Sequence, residues 1–231
     1  VNVVVFTGAG ISRESGLQTF RDREDGLWQG FDLEEVASVE GWRKNPAKVL
    51  EFYNMRRRQV LAAAPNAAHL AIAEFGKRHQ VRVITQNVDD LHERAGSARV
   101  LHLHGEILKV RADQPGSKPF AWQTDLHLGD LDPHCGRQLR PHVVWFGEDV
   151  PEYETAIREV RSRHVDAIVV VGTSLNVYPA AWIATESAAP VKILVDPNPP
   201  DCPVVGFTVI QAVASAGVPR ALMTVEQRAH P

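Results

Sequence analysis

Four short runs rich in β-branched residues limit what this chain can fold into: Val3–Phe6, Val81–Thr85, Ala167–Val171 and Val191–Val195. Each is apolar almost throughout instead of alternating, which is the pattern of a strand buried on both faces. The first three are closed by small or polar residues, and the fourth follows Pro190. Helical patterns lie between them at Pro46–Ala63, Ala67–Arg78 and Tyr153–Arg163. Strands alternating with helices predict a doubly wound α/β domain built on a parallel, Rossmann-like sheet, with ligands gathered at the C-terminal strand ends.

Two regions break that rhythm, 21–64 and 108–140, the latter rich in Gly, Pro, Asp and His. They are expected to form a smaller lobe beside a larger one made of 1–20, 65–107 and 141–231, within a single catalytic domain. A length of 231 residues suits one sizeable core with such an insertion. The formal charge of −3 offers no field for nucleic acid or an anionic membrane surface, so neither is expected as a partner. Cys135 and Cys202 are too few for a disulfide framework or a four-thiolate metal site, which points to a reducing cytoplasm. No apolar run reaches the length of a membrane span, and the opening Val1–Phe6 reads as a strand, not a leader. A monomer is expected.

The polar residues cluster where the strands end. Thr7-Gly8-Ala9-Gly10-Ile11-Ser12 follows the first strand, and glycines there allow backbone amides to approach a pyrophosphate, with Ser12 adding a donor. A tight strand-to-helix turn needs glycines for structural reasons as well. The dehydrogenase fingerprint is not met, because Ile11-Ser12-Arg13 stands where a third glycine is expected, and hydride transfer is disfavoured. Thr85-Gln86-Asn87-Val88-Asp89-Asp90-Leu91-His92 places amides and a carboxylate at the end of a second strand, suited to ribose hydroxyls and a carboxamide, although either Asp could instead cap the next helix. In Leu101-His102-Leu103-His104-Gly105-Glu106, alternation puts two histidines on one face of an extended segment, one of them open to a structural role.

The ordered set TGAGIS, TFRD, TQNVDDLH, HLHGEI, RPHVVWFGE and GTSL resembles the sirtuin family of NAD-dependent protein-lysine deacylases over nearly the whole chain. The resemblance implies that His104, before Gly105, is the catalytic base and that His102 is not. It implies that Gly8, Ala9, Gly10, Ser12 and Arg21 line the cofactor phosphates and riboses, and that Ile11, Phe20, Asn87 and Asp89 surround the nicotinamide end. Gln86 would hold the nicotinamide ribose beside His104, and Gly172, Thr173 and Ser174 would close over the phosphates and adenosine ribose. Where the family usually places Asn for that ribose, this chain has Asp196 with Asn198 two residues on, and either could make the contact. Ala214 is expected near the adenine. Val143, Val144, Trp145, Phe146, Gly147 and Glu148 match the strand that pairs with substrate backbone, the alternative being an ordinary buried strand.

The same resemblance implies that nicotinamide is displaced from the ribose by the acyl-amide oxygen and that His104 then activates a ribose hydroxyl, the acyl group leaving on ADP-ribose. NAD hydrolysis or ADP-ribosyl transfer, and a non-catalytic NAD or ADP-ribose sensor, are the competing readings.

Tyr53 and Arg56 share a helix face at i and i+3. They resemble the Tyr-x-x-Arg pair of the sirtuin class that removes negatively charged acyl groups. A guanidinium fork and a phenol suit a succinyl or malonyl terminus, whereas acetyl offers them nothing to bind. Arg56-Arg57-Arg58 also reads as an ordinary solvated face. The family's two zinc-binding Cys pairs would fall in 108–140, where only Cys135 occurs and Ala112 holds the first expected position. His127, Asp132, His134 and Cys135 have the donor atoms but no familiar spacing, so no zinc is expected. Phe120, Trp122, Leu126, Leu128 and Leu131 are then expected to hold the lobe by apolar packing.

Overall fold

The computed structural model describes residues 1–18, 31–173, 180–199 and 206–229. Its main body is a six-stranded sheet formed by β1 (Asn2–Thr7), β2 (Gln80–Thr85), β3 (Val100–His102), β7 (Ala167–Val171), β8 (Val191–Val195) and β9 (Thr208–Ile210). The spatial order is β3-β2-β1-β7-β8-β9, and every pairing is parallel. This is the doubly wound α/β sheet that the apolar runs predict.

The runs are continuous because the sheet is covered on both sides. Val3, Val5, Val83, Val169, Val171 and Ile193 pack with residues of α4 (Ala67–Gly76) and α8 (Ala214–Ala229), among them Ile72, Phe75, Val218 and Leu222. Their neighbours Val4, Phe6, Ile84, Ile168, Val170 and Leu194 pack on the other face with Ile157 and Val160 of α6 (Tyr153–Val160) and Ile183 of α7 (Ala180–Thr185). Period-two alternation therefore sends each strand's side chains into two separate cores.

A second sheet is antiparallel, in the order β5-β4-β6, from β4 (Gly105–Ala112), β5 (Phe120–Ala121) and β6 (Leu139–Val143). It shares a core with α1 (Leu33–Val36), α2 (Val39–Lys44) and α3 (Pro46–Ala62), built from Leu33, Trp42, Leu50, Phe52, Ile107, Val110, Leu139 and Trp145. Asn45 caps α3 by accepting from the Lys48 amide, with Pro46 at the first helical position.

The extended segment expected over Leu101–Glu106 is not one strand. β3 ends at His102 and β4 begins at Gly105 in the other sheet, so His104 sits in the crossover between the two. Gly105 makes the change of direction at φ +81°, and a Cβ there would lie 2.2 Å from the His142 carbonyl oxygen. Only glycine fits that point. Among the described residues no helix is long and apolar enough to cross a membrane.

Candidate active site

The polar residues converge at the point where the strand order reverses, between β1 and β7, which is where an open α/β sheet leaves a crevice. After β1 the chain enters a 3-10 helix, Ala9–Ser15. The Gly8 amide donates to the Val171 carbonyl at 3.0 Å and the Gly10 amide to the Gly172 carbonyl at 2.8 Å. A Cβ on Gly10 would stand 2.6 Å from the Gly172 Cα, and one on Gly8 would stand 2.8 Å from the Thr173 Cβ. These glycines thus serve first to press two strand-end turns together, and their amides already have partners inside the chain. That differs from the expected use of those amides on a pyrophosphate.

Side chains from three of the sequence motifs join beside this contact. Asn87 donates from Nδ2 to Ser12 Oγ at 3.1 Å, and Ser12 Oγ donates to Asp89 Oδ2 at 3.0 Å. The other Asp89 oxygen accepts from the Leu91 amide at 3.2 Å, so this carboxylate meets a neighbouring motif and also caps the turn that follows. Burial pushes the Asp89 carboxyl up, against the lowering effect of the Leu91 and Ser12 hydrogen bonds. Gln86 donates from Nε2 to Thr173 Oγ1 at 3.1 Å, tying the end of β2 to the end of β7.

The two histidines lie in opposite electrostatic settings. His104 Nδ1 is 3.0 Å from the Gln86 carbonyl oxygen, which can only accept, so Nδ1 carries the proton and Nε2 keeps its lone pair. Burial pulls His104 below the ordinary imidazole range, partly opposed by that hydrogen bond. His102 instead has an acceptor at each nitrogen: the Asn87 carbonyl 2.9 Å from Nδ1 and Glu93 Oε1 2.8 Å from Nε2. Burial lowers His102, but the hydrogen bond and charge of Glu93 outweigh it and hold the ring above the ordinary range. A ring that donates from both nitrogens cannot accept a proton.

The remaining expected residues fall unevenly. Ile11 is fully buried in the core on the α4 and α8 face, and Ala214 is buried in the same cluster. Their side chains therefore pack instead of lining the crevice. Asp196 is buried directly after β8 and accepts from the Asn198 amide at 2.8 Å, while Asn198 itself is exposed. Phe20, Arg21 and Ser174 lie outside the described residues.

Tyr53 and Arg56 are both nearly buried on α3. Arg56 donates to Gln59 Oε1 at 2.9 Å, and burial pulls its guanidinium down to about 10 despite the nearby charge of Asp89. The basic run is not a solvated face. Arg57 is fully buried and donates to the Ile107 carbonyl and to Asn54 Oδ1, and only Arg58 reaches the exposed surface, where it pairs with Asp125.

The segment expected as a peptide-pairing strand departs from that form. Only Val143 belongs to β6, and Gly147 turns at φ +91°. The amides of Val144, Trp145 and Phe146 donate to His104 O, Glu148 Oε2 and Ala37 O, respectively. An incoming chain thus meets a short, largely satisfied edge.

In the loop expected to lack zinc, Asp132 accepts from the His134 and Cys135 amides and Asp130 accepts from the His127 amide. Among the described residues no three His, Cys, Asp or Glu side chains group so as to hold a metal ion. Leu126 is fully buried and Phe120 and Trp122 are partly so, but Leu128 and Leu131 are 54% and 53% exposed and do not pack as expected.

Several buried polar residues carry no signal of their role in the sequence. Thr7 Oγ1 lies 2.8 Å from Thr85 Oγ1 and 3.0 Å from His92 Nε2, and Thr85 Oγ1 accepts from the Asn87 amide. His69 packs edge-on to His92 with ring centroids 4.9 Å apart. Arg140 was equally silent, yet its guanidinium lies 3.3 Å over the Trp145 ring and donates to both oxygens of Glu148. The contacts of Thr7 with Thr85 and His92, and of His69 with His92, join segments far apart in the chain, so no local spacing marks them.

Comparison with known proteins gives a consistent result. The family model described as Sir2 family matches residues 8–179. An NAD-dependent protein deacylase of Helicobacter pylori is 56% identical over 186 residues, covering 80% of each chain. The NAD-dependent protein deacylase Sir2 of Mycolicibacterium smegmatis is 41% identical, covering 99% of this chain and 96% of that protein. Among solved structures, a Sir2 homologue in complex with NAD superposes with a TM-score of 0.85 at 38% identity, covering 98% of this chain and 90% of the other.

Proposed function

The chain belongs to the Sir2 family, and from that premise we propose how its own residues carry the reaction and which acyl group they favour. It is an NAD-dependent protein-lysine deacylase. The donor set at the β1/β7 crevice fits a dinucleotide: two glycine turns in contact, hydroxyls of Ser12 and Thr173, amides of Gln86 and Asn87, and the buried carboxylate of Asp89.

The chemistry supplied by bound NAD is a breakable glycosidic bond to nicotinamide, which gives an electrophilic ribose carbon for the acyl oxygen. His104 acts as general base through Nε2, and the Gln86 carbonyl holds its other proton and fixes the tautomer. Its lowered proton affinity keeps the ring neutral and able to accept. Asn87, Ser12 and Asp89 order the nicotinamide end, with Gln86 and Thr173 holding the ribose side between β2 and β7. Gly8, Ala9, Gly10, Gly172 and Asp196 would form the remaining cofactor wall, and the segment Val143–Glu148 would lie along the substrate backbone. The protein works as a monomer in a reducing cytoplasm.

Tyr53 and Arg56 form the end of the acyl pocket and favour succinyl or malonyl over acetyl. The support is that Arg56 is nearly buried one helical turn from Tyr53 and not extended into water, so a guanidinium and a phenol are held together on one face of α3. The single observation carrying the catalytic reading is the bond from His104 Nδ1 to the Gln86 carbonyl. The test is nicotinamide release from NAD with acetyl-, malonyl- and succinyl-lysine versions of one peptide, for the native protein and for H104A. Release that depends on the acylated peptide and is lost in H104A is expected. Release without peptide would favour NAD hydrolysis, and undiminished turnover by H104A would overturn the assignment.

A further inference from the structure

We propose that Trp145 is a positioning residue for acyl selectivity: its indole N–H fixes Tyr53 as a hydrogen-bond donor toward a carboxylate-tipped acyl chain. The proposal rests on the Tyr53 and Arg56 pocket described above.

Trp145 Nε1 lies 3.0 Å from the Tyr53 hydroxyl oxygen, and both side chains are buried, at 2% and 6% exposure. An indole N–H can only donate. The phenol oxygen must therefore accept there, and its single proton is directed elsewhere. A carboxylate can only accept, so it is the matching partner for that proton, and the adjacent Arg56 supplies the compensating charge. An acetyl methyl group makes no use of either. Burial pushes the Tyr53 phenol well above its usual range, which favours retention of that proton.

Trp145 is itself held rigidly. The Arg140 guanidinium stacks 3.3 Å over its ring, and Trp42 packs at 5.3 Å between centroids. Glu148 accepts from Arg140 at 2.7 and 2.9 Å and from the Trp145 amide at 2.9 Å. One carboxylate thus anchors the residue's backbone and also the cation covering its ring. Phenylalanine would fill most of the same volume and keep the stacking, so what tryptophan adds at this position is the N–H.

The test is W145F assayed with acetyl- and succinyl-lysine versions of one peptide, alongside Y53F, R56M and the W145F/Y53F double variant. In W145F the KM for the succinyl peptide is expected to rise about three- to tenfold more than that for the acetyl peptide, as for loss of one hydrogen bond. In the Y53F background W145F should add nothing further. If Y53F and R56M raise the succinyl KM but W145F does not, the role of Trp145 is refuted while the pocket stands. If W145F weakens both peptides in parallel, Trp145 acts as packing only and the proposal fails. If neither Y53F nor R56M affects the succinyl peptide, the pocket reading is the part that fails, and this inference falls with it. Should W145F not fold, the indole N–H resonances of the native protein and Y53F decide. One of the five tryptophans must shift and lose exchange protection, and no change in any of them overturns the proposal.

Discussion

His102 and His104 stand two residues apart, yet the proton affinities of their rings are shifted in opposite directions. Asn87 O and Glu93 Oε1 accept from both nitrogens of His102, whereas among the described residues His104 has Gln86 O at Nδ1 alone. The first ring ties β3 to α5 (Leu91–Ala95) with its proton affinity raised by Glu93, and the second has its proton affinity lowered by burial and its lone pair on Nε2. Carboxylate proximity at one ring and desolvation at the other are enough to separate the roles.

The acid limb of deacylation should reflect His104. A base whose folded value lies below the ordinary imidazole range stays unprotonated to lower pH, so activity persists as pH falls and is lost only through that lowered value. A pH profile of kcat/KM for the succinyl and acetyl peptides measures this. An acid limb above the free imidazole value would contradict the burial argument.

Acyl selectivity should reside in Arg56. Removing a nearly buried guanidinium in R56M is expected to lower kcat/KM for a succinyl peptide by about 10- to 100-fold, the range for a charge-assisted hydrogen bond, with little change for acetyl. Full desuccinylation by R56M would remove the pocket assignment.

Acid stability should depend on His69. The ring is fully buried and burial lowers it to about 4 from the ordinary 6.5. Above 6.5 it is neutral in both folded and unfolded chains, and as pH falls from 6.5 toward 4 only the unfolded chain gains the proton. Stability should fall over that window by about 3 kcal/mol. His102 has the opposite sign: its contribution is complete in acid and is lost as pH rises through its raised value. H69Q keeps an acceptor for the Asn66 amide at this capping-box position and removes the titration, so urea unfolding from pH 7 to 4 should show a shallower decline. An unchanged slope would exclude His69.

The contact between the Gly10 and Gly172 turns should tolerate no side chain. In G10A the new methyl would meet the Gly172 Cα and carbonyl at 2.6 and 2.8 Å, and backbone cannot swing aside as a side chain can. A loss of NAD binding is expected, measured by calorimetry, together with a lower melting temperature. Native affinity in G10A would show that the two turns separate readily.

The small lobe should not need zinc. Asp130 and Asp132 already accept loop amides, and Leu126, Ile107, Val110 and Leu139 form an apolar core beneath them. Metal analysis of the purified protein is expected to find far less than one equivalent, with no change in melting temperature on chelation. One tightly held equivalent would overturn this.

The doubly wound sheet was legible in the sequence because strands buried on both faces must be apolar at consecutive positions, as Val3–Phe6 and Ala167–Val171 are. The polar segments that carry Ser12, Asn87 and Asp89 also leave a local pattern at the strand ends, whereas the preference for His104 over His102 comes from the resemblance to the sirtuin family and not from spacing. The tertiary structure alone decided which of their atoms have partners. The Gly8 and Gly10 amides go to β7 and its following turn, and Ile11 turns into the core. It also decided that the basic run on α3 is mostly interior, and that Trp145, Arg140 and Glu148 stand behind Tyr53. Such pairs join segments about ninety residues apart, as Tyr53 and Trp145 are. A hydrogen bond across that separation depends on how two lobes pack, and no local periodicity or spacing encodes it.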